Sequence, residues 1–346
     1  MQANIYIHIG LHKTGSSSIQ NTFFSNRDKL LSHGINYLSL SLNHSGVLYS
    51  LYCVAPHQTR ANRAAGIDTK EKAAKKNAAT RAALRQALES NSSASIVISG
   101  EGLSRLPAEG LERLRLEFTP YAARFRIIVY VRDPYSTVNS MAQQRIRRRG
   151  QTYEQIIAAP PYPRYSRIAQ AIQVFGRENV DIRLFDAAHF VNGDLIADFL
   201  SAIDASPDLR RELEVERTNV ALSHEAAYLL HEINKYRPPA RDRRPHDDVF
   251  QLFAAIPGQP YRCPPEIFVA VQPFVAKQLQ WLRDLLGKDV FSDRPAVPDA
   301  ASYWNEKTLT AVALLLDDLA HKDREKRGFL PRISAMMRRL TSPAPR

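Results

Sequence analysis

The hydrophobic pattern alternates between two periods along the first two hundred residues. Ile5-Tyr6-Ile7-His8-Ile9 is a short β-rich run that ends on Gly10, and Ser16–Leu31 carries Ile19, Phe23 and Leu30 at helical spacing. Ile35–Leu40 reads as a second strand, and Lys70–Glu89 as an alanine-rich helix with many lysines. Ala94–Ser99 is a continuous apolar run closed by Gly100, as expected of a strand buried on both faces. Glu109–Phe118 predicts a helix, Phe125–Val131 the most apolar strand, Pro134 onward another helix, and Val180–Phe185 a further strand.

Strands that alternate with helices in this way predict an α/β fold with a mostly parallel central sheet flanked by helices. Beyond residue 220 the strand signal fades, and helices are predicted at Ser223–Tyr236, Glu266–Leu286 and Asn305–His321. The proline- and arginine-rich stretch 237–265 between the first two reads as a long loop. The expected organisation is an α/β core over 1–222, a helical C-terminal region over 223–340 packed on the same domain, and a disordered tail over 341–346.

Composition changes this picture little. The 346 residues are 44% hydrophobic and 24% charged, which suits a globular chain with a substantial core. No apolar run is long enough for a membrane span, no signal peptide is evident, and Cys53 and Cys263 do not suggest a disulfide framework. A reducing, cytoplasmic setting is therefore expected. The net charge of +12 points to an anionic partner or to a merely basic, solvated surface, and does not choose between them.

The first strand, its glycine-containing loop and the following helix supply what a phosphate needs: converging backbone N–H groups and the positive end of a helix dipole. Gly10 and Gly15 have the separation of a Walker A loop, GxxxxGK(S/T), but Ser16 stands where the lysine belongs and Lys13 lies inside the loop. No acidic strand terminus completes a magnesium site. Asp133 lies between Arg132 and Pro134 and suits a helix cap. A second anchor is Arg132 at the C-terminal end of the strand Phe125–Val131, with Ser136 and Ser140 following four apart on one helix face. An arginine there can grip a phosphate through two N–H groups. It can equally pair with a carboxylate.

Together these stretches resemble the sulfotransferases that use 3′-phosphoadenosine 5′-phosphosulfate (PAPS), in particular bacterial carbohydrate-type ones with a P-loop-type sandwich. Lys13-Thr14-Gly15-Ser16-Ser17-Ser18 resembles that family's 5′-phosphosulfate loop. Arg132-Asp133-Pro134 with Ser140 eight residues after the arginine resembles its 3′-phosphate motif. Glu178–Phe185 and Arg217–Ser223 are similar to later segments of the family, so the resemblance extends over roughly 1–235. It implies PAPS as co-substrate, bound by His12, Lys13, Thr14, Gly15, Ser16, Ser17, Ser18, Arg132 and Ser140. It also implies metal-independent transfer to a hydroxyl or amine, with Lys13 stabilising the leaving oxygen.

Related enzymes use a glutamate or a histidine as base, and two candidates stand open: Glu101, after the strand Ala94–Ser99, and His44, after the second predicted strand. His8 alternates with Ile7 and Ile9 and is expected on a sheet face; no His, Cys or carboxylate cluster has metal-ligand spacing. The basic runs Lys70/Lys72/Lys75/Lys76, Arg145/Arg147/Arg148/Arg149 and Arg241/Arg243/Arg244 favour an acidic carbohydrate or glycoconjugate acceptor if they face the cleft. Facing away, they make a solvated or membrane-surface patch. Tyr162, Tyr165 and Trp304 are candidates to stack on a sugar or to fill the core. A P-loop kinase-like phosphotransferase and a non-catalytic nucleotide- or glycan-binding module are the competing classes. A nucleic-acid binder is disfavoured by the lack of aromatic residues among the basic runs.

Overall fold

The structure, a computed structural model, describes residues 2–215, 222–236 and 253–293, with Thr308, Thr310 and Val312. The predicted helix 305–321 apart from those three residues, most of the segment 217–223, the arginines Arg241, Arg243 and Arg244, Trp304 and the tail 341–346 lie outside the described residues.

Five strands form one all-parallel sheet: β1 (Ala3–His8), β2 (Ile35–Tyr37), β3 (Ser95–Ser99), β4 (Ala122–Val131) and β5 (Val180–Leu184), in the order β2-β3-β1-β4-β5. This is the α/β architecture with a parallel central sheet and flanking helices expected from the alternating pattern. β1 sits at the centre. The chain leaving β1 runs toward the β2 edge, whereas the chain leaving β4 runs toward β5. Loops that diverge from adjacent parallel strands open a crevice at their C-terminal ends, which is where ligands of such sheets bind.

Both faces of β1 are buried, as a central parallel strand requires: Ile5 and Ile7 on one, Tyr6 and His8 on the other. The Tyr6 face packs with Val97, Ile128 and Tyr130 against Ile19, Phe23 and Leu30 and against Ile196, Phe199 and Leu200 of the helix Leu195–Ala202.

Local chemistry shifts several boundaries. The helix expected over Ser16–Leu31 is two helices, α1 (Ser16–Ser25) and α2 (Arg27–Ser32). Asn26 breaks them: its side-chain amide donates to the carbonyls of Thr22 and Glu214 and its amide oxygen accepts from the N–H of Glu214. That competition with the helix ladder is typical of asparagine. The second strand is three residues long rather than reaching Leu40. β4 begins at Ala122, earlier than Phe125, because an edge of mixed polarity precedes its buried end.

One polar knot ties the sheet to its cover. Asp198, 3% exposed, accepts two hydrogen bonds from the Arg183 guanidinium (2.7 and 2.8 Å) and one from the Tyr130 hydroxyl (2.6 Å). Burial opposes ionisation of Asp198, but the Arg183 and Tyr130 hydrogen bonds outweigh it and hold its pKa below the usual carboxylate value.

The chain divides into two compact units. The first is Met1–Asp133 with Arg164–Thr218 and contains the sheet; the second is Pro134–Pro163 with Asn219–Arg346. In the second unit the helices Pro134–Arg149, Tyr153–Ala158, His224–Tyr236 and Pro265–Leu286 are described. They are tied by side-chain amides: Asn139 donates to the carbonyl of Tyr261 and accepts from the N–H of Cys263, and the buried Asn234 donates to the carbonyls of Ile146 and Gln151. No described helix is long and apolar enough to cross a membrane.

Candidate functional site

The loop between β1 and α1 is shaped by three left-handed residues, Gly10 (φ 26°), Lys13 (φ 68°) and Gly15 (φ 72°). A side chain at Gly15 would strike Leu195 Cδ2 at 2.4 Å and Phe185 Cε2 at 2.8 Å, so both the angle and the space demand glycine. Lys13 adopts the same backbone region without that freedom, a conformation that costs about 1–3 kcal/mol and persists only where neighbours hold it. Two contacts do so. The Thr14 hydroxyl, buried, donates to the carbonyl of Leu11 at 2.7 Å, and the Arg132 guanidinium donates to the carbonyl of Lys13 at 3.1 Å.

Gly15 is the N-cap of α1 and no side chain caps that helix. This leaves the first-turn amides directed at the loop, the arrangement in which a helix start receives an anion. Ser16 is buried, Ser17 exposed and Ser18 partly exposed, and the N–H of Ser18 bonds back to the carbonyl of Gly15.

Arg132 follows the last residue of β4. Its guanidinium lies 5.5 Å from the centre of the Phe185 ring, and its carbonyl accepts from the Tyr165 hydroxyl. Burial pulls its pKa down against the opposing charges of Asp133 and Tyr165. Among the described residues it forms no ion pair with a carboxylate. A partly desolvated guanidinium of this kind gains most from an anionic ligand. Tyr165, 1% exposed, is core and anchors this corner. Phe185 and Tyr165 escaped the sequence reading as site supports: Phe185 marked only a strand end, and Tyr165 was one aromatic among several.

Glu101 opens the turn after β3, and a side chain on Gly10 would meet both Ser16 and the Glu101 side chain. Its carboxylate is 3.6 Å from Nδ1 of His12, which lies on the loop. Burial raises the Glu101 pKa, but His12, Lys13 and Arg105 together outweigh it, so the carboxyl is held below its ordinary value and is ionised at neutral pH. Arg105 closes the same short helical turn that Glu101 opens, four residues on.

His44 is differently placed. It is fully buried; its Nδ1 accepts from the N–H of Ser99 at 3.0 Å and its Nε2 donates to the carbonyl of Leu38 at 2.8 Å. Burial lowers its pKa, against the two backbone hydrogen bonds. Both ring nitrogens thus serve as a staple between the ends of β2 and β3.

Lys13, Thr14, Gly15, Ser16, Glu101, His12 and Arg132 all belong to the first unit, at the C-terminal ends of β1, β3 and β4. Ser140 belongs to the second unit, on the helix Pro134–Arg149, and is partly exposed. Of the basic runs, Lys72 pairs with Asp68 at 2.8 Å, Lys76 donates to Asn62 Oδ1 at 2.6 Å and Arg145 donates to the carbonyl of Ala159 at 2.5 Å. These contacts hold parts of the first two runs to their own surroundings. Tyr162 stacks on Phe274, ring centres 4.8 Å apart, with Phe274 42% exposed. Among the described residues no three His, Cys, Asp or Glu side chains gather in a way that could hold a metal ion.

No protein-family model matches the chain, and no curated protein matches it. A crystal structure of a sulfotransferase from Alicyclobacillus acidocaldarius aligns with 84% of this chain and 98% of that one, at 14% sequence identity and a TM-score of 0.45.

Proposed function

We propose that this chain is a sulfotransferase that moves the sulfuryl group of PAPS to a hydroxyl or amine of an acceptor, a carbohydrate or glycoconjugate. The observation that carries the reading is the hydrogen bond from Arg132 to the carbonyl of Lys13. It joins, at one sheet edge, the two sequence stretches that resemble a 5′-phosphosulfate loop and a 3′-phosphate anchor. The absent Walker lysine argues against a nucleoside-triphosphate kinase. The demand for two separated anion sites argues the same way.

In this reading the α1 amides and the hydroxyls of Ser16, Ser17 and Ser18 hold the phosphosulfate, and Arg132 holds the 3′-phosphate. Ser140 enters on its sequence spacing from Arg132 alone. The acceptor oxygen attacks sulfur in line; a new S–O bond forms as the S–O bond to the 5′-phosphate breaks, and adenosine 3′,5′-bisphosphate (PAP) departs. Lys13 neutralises the charge that develops on the departing phosphate oxygen. Glu101, ionised at neutral pH, takes the acceptor proton. His44 is disfavoured for that task because neither ring nitrogen is available without breaking the β2–β3 staple.

The test is incubation with PAPS carrying labelled sulfate and a panel of glycans, lipids and small alcohols, followed by identification of the labelled product. A sulfated glycan supports the reading. Failure to bind PAPS or PAP, or magnesium-dependent turnover of ATP instead, overturns it.

A further inference from the structure

His8 has no part in the scheme above, yet its surroundings are unusually specific. It ends β1, is fully buried, and its ring is walled by Tyr130 (5.9 Å) and Phe199 (5.4 Å), both meeting it edge to face. Its Nδ1 lies 2.8 Å from Ser99 Oγ, and Ser99 Oγ accepts from Gln20 Nε2 at 3.3 Å.

This chain of contacts has a direction. Gln20 donates to Ser99, so the one hydroxyl proton of Ser99 is used fully only if Ser99 donates to His8 Nδ1. With Nδ1 protonated instead, Ser99 would accept twice and its own proton would need another acceptor. The arrangement that uses every proton places the imidazole proton on Nε2. Burial keeps the ring neutral, which fits.

That Nε2 has no hydrogen-bond partner, although it is sealed from solvent. Ser16 Oγ, on the first residue of α1, is in the same condition. The point where a side chain on Gly10 would begin lies 3.3 Å from His8 Nε2 and 2.6 Å from Ser16 Oγ, so the two atoms border the same space, which glycine leaves unfilled. One is a donor, the other a hydroxyl that can accept and donate at once. Buried polar groups left unmatched are costly, and one water can bridge a pair this close.

We propose that His8 is a positioning residue of the donor site: its Nε2–H engages the Ser16 oxygen, through one buried water, and thereby turns the Ser16 O–H toward the phosphosulfate. The inference rests on the donor reading above and adds a residue beneath the loop to it. The relay runs Gln20, Ser99, His8, water, Ser16, anion, with each group donating to the next. Glycine at position 10 is what leaves the space beside both atoms unfilled.

The test is calorimetric binding of PAP, with adenosine 3′-phosphate, which lacks the 5′ group, as the reference ligand. An asparagine amide reaches the place of the imidazole Nδ1, whereas a glutamine amide reaches that of Nε2. His8→Asn should weaken PAP about tenfold to a hundredfold, leave adenosine 3′-phosphate binding unchanged, and His8→Gln should recover most of the loss. In a Ser16→Ala background, His8→Asn should have no further effect on PAP. Additive losses in that cycle, or tolerance of asparagine with intolerance of glutamine, overturn the proposal, since a ring serving Ser99 alone predicts the latter. If His8→Asn does not fold, Gln20→Met removes the donor that sets the direction of the chain. It should weaken PAP about fivefold only when Ser16 is present. Wild-type protein that binds no PAP overturns the donor reading itself, a result distinct from additivity in a protein that binds it.

Discussion

The guanidinium of Arg132 donates to the main-chain carbonyl of Lys13, 119 positions away in sequence, at 3.1 Å. A residue at the end of β4 thereby supports the strained turn of the loop after β1. The contact gives Arg132 two duties in the proposed scheme, to shape the loop and to hold an anion, and it separates the expected effects of two substitutions.

Lys13→Ala should keep the fold and PAP affinity within a fewfold and lower kcat by about 10²–10³, the usual loss on removing one donor to a developing charge. Arg132→Ala should chiefly weaken PAP binding, by about 1.5–3 kcal/mol, as loss of a charge-assisted hydrogen bond would. Turnover assays paired with PAP titrations check both. Near-normal turnover in the first, or unchanged PAP affinity in the second, would reject the assigned roles.

Glu101 and His44 should differ in kind. Glu101→Gln is expected to reduce kcat by about 10²–10⁴ with PAP affinity and melting temperature unchanged. His44→Ala is expected to lower the melting temperature, because it unfastens Ser99 and Leu38, while the folded fraction turns over at a comparable rate. The opposite pattern would move the base from Glu101 to His44.

Asp198→Ala should be destabilising, by about 2–4 kcal/mol, because it leaves the Tyr130 hydroxyl unpaired and the partly buried Arg183 guanidinium with Asp181 as its remaining carboxylate partner. Chemical denaturation of this variant beside Asp198→Asn measures the effect. A loss below 1 kcal/mol in both would show that the knot contributes little net stability.

Acid should unfold the protein in a definite window. Burial lowers the pKa of His8 to about 4 against an ordinary 6.5, with the charge of Glu101 pulling weakly the other way. The unfolded chain therefore binds the extra proton first, and stability falls as pH drops from about 6.5 to about 4, by about 3 kcal/mol for this one group. His44 acts in the same direction. Urea midpoints measured between pH 7 and pH 4 should show the slope, and His8→Gln should flatten it; an unchanged slope would place the titration elsewhere.

Much of this molecule was legible in one dimension because its governing rules are local. Apolar runs such as Ile96–Ile98 and Ile127–Val131 report burial on both sheet faces, and Gly10 and Gly15 punctuate a strand, a loop and a helix in order. From those, the parallel α/β sheet and the tight turn between β1 and α1 follow by sterics and periodicity. Local pattern failed where the partner was remote. The Ser16–Leu31 periodicity runs straight through Asn26, and only the chain near Glu214 explains the break there.

The same limit applies to the chemistry of single residues. As sequence, Glu101 and His44 were equal candidates, each a titratable group after a strand. Tertiary packing set them apart: it brought His12 and Lys13 to Glu101, and closed both nitrogens of His44 on backbone groups. His8 read as a residue of the sheet face, and it is one; its unpartnered Nε2 beside Ser16 appears only once β1, β3 and α1 are packed. The sequence by itself determined which segments become strand, loop and helix, since that depends on neighbours a few positions apart. Protonation, hydrogen-bond direction and the pairing of Arg132 with Lys13 depend on groups scores of residues away, and only the tertiary structure decided them.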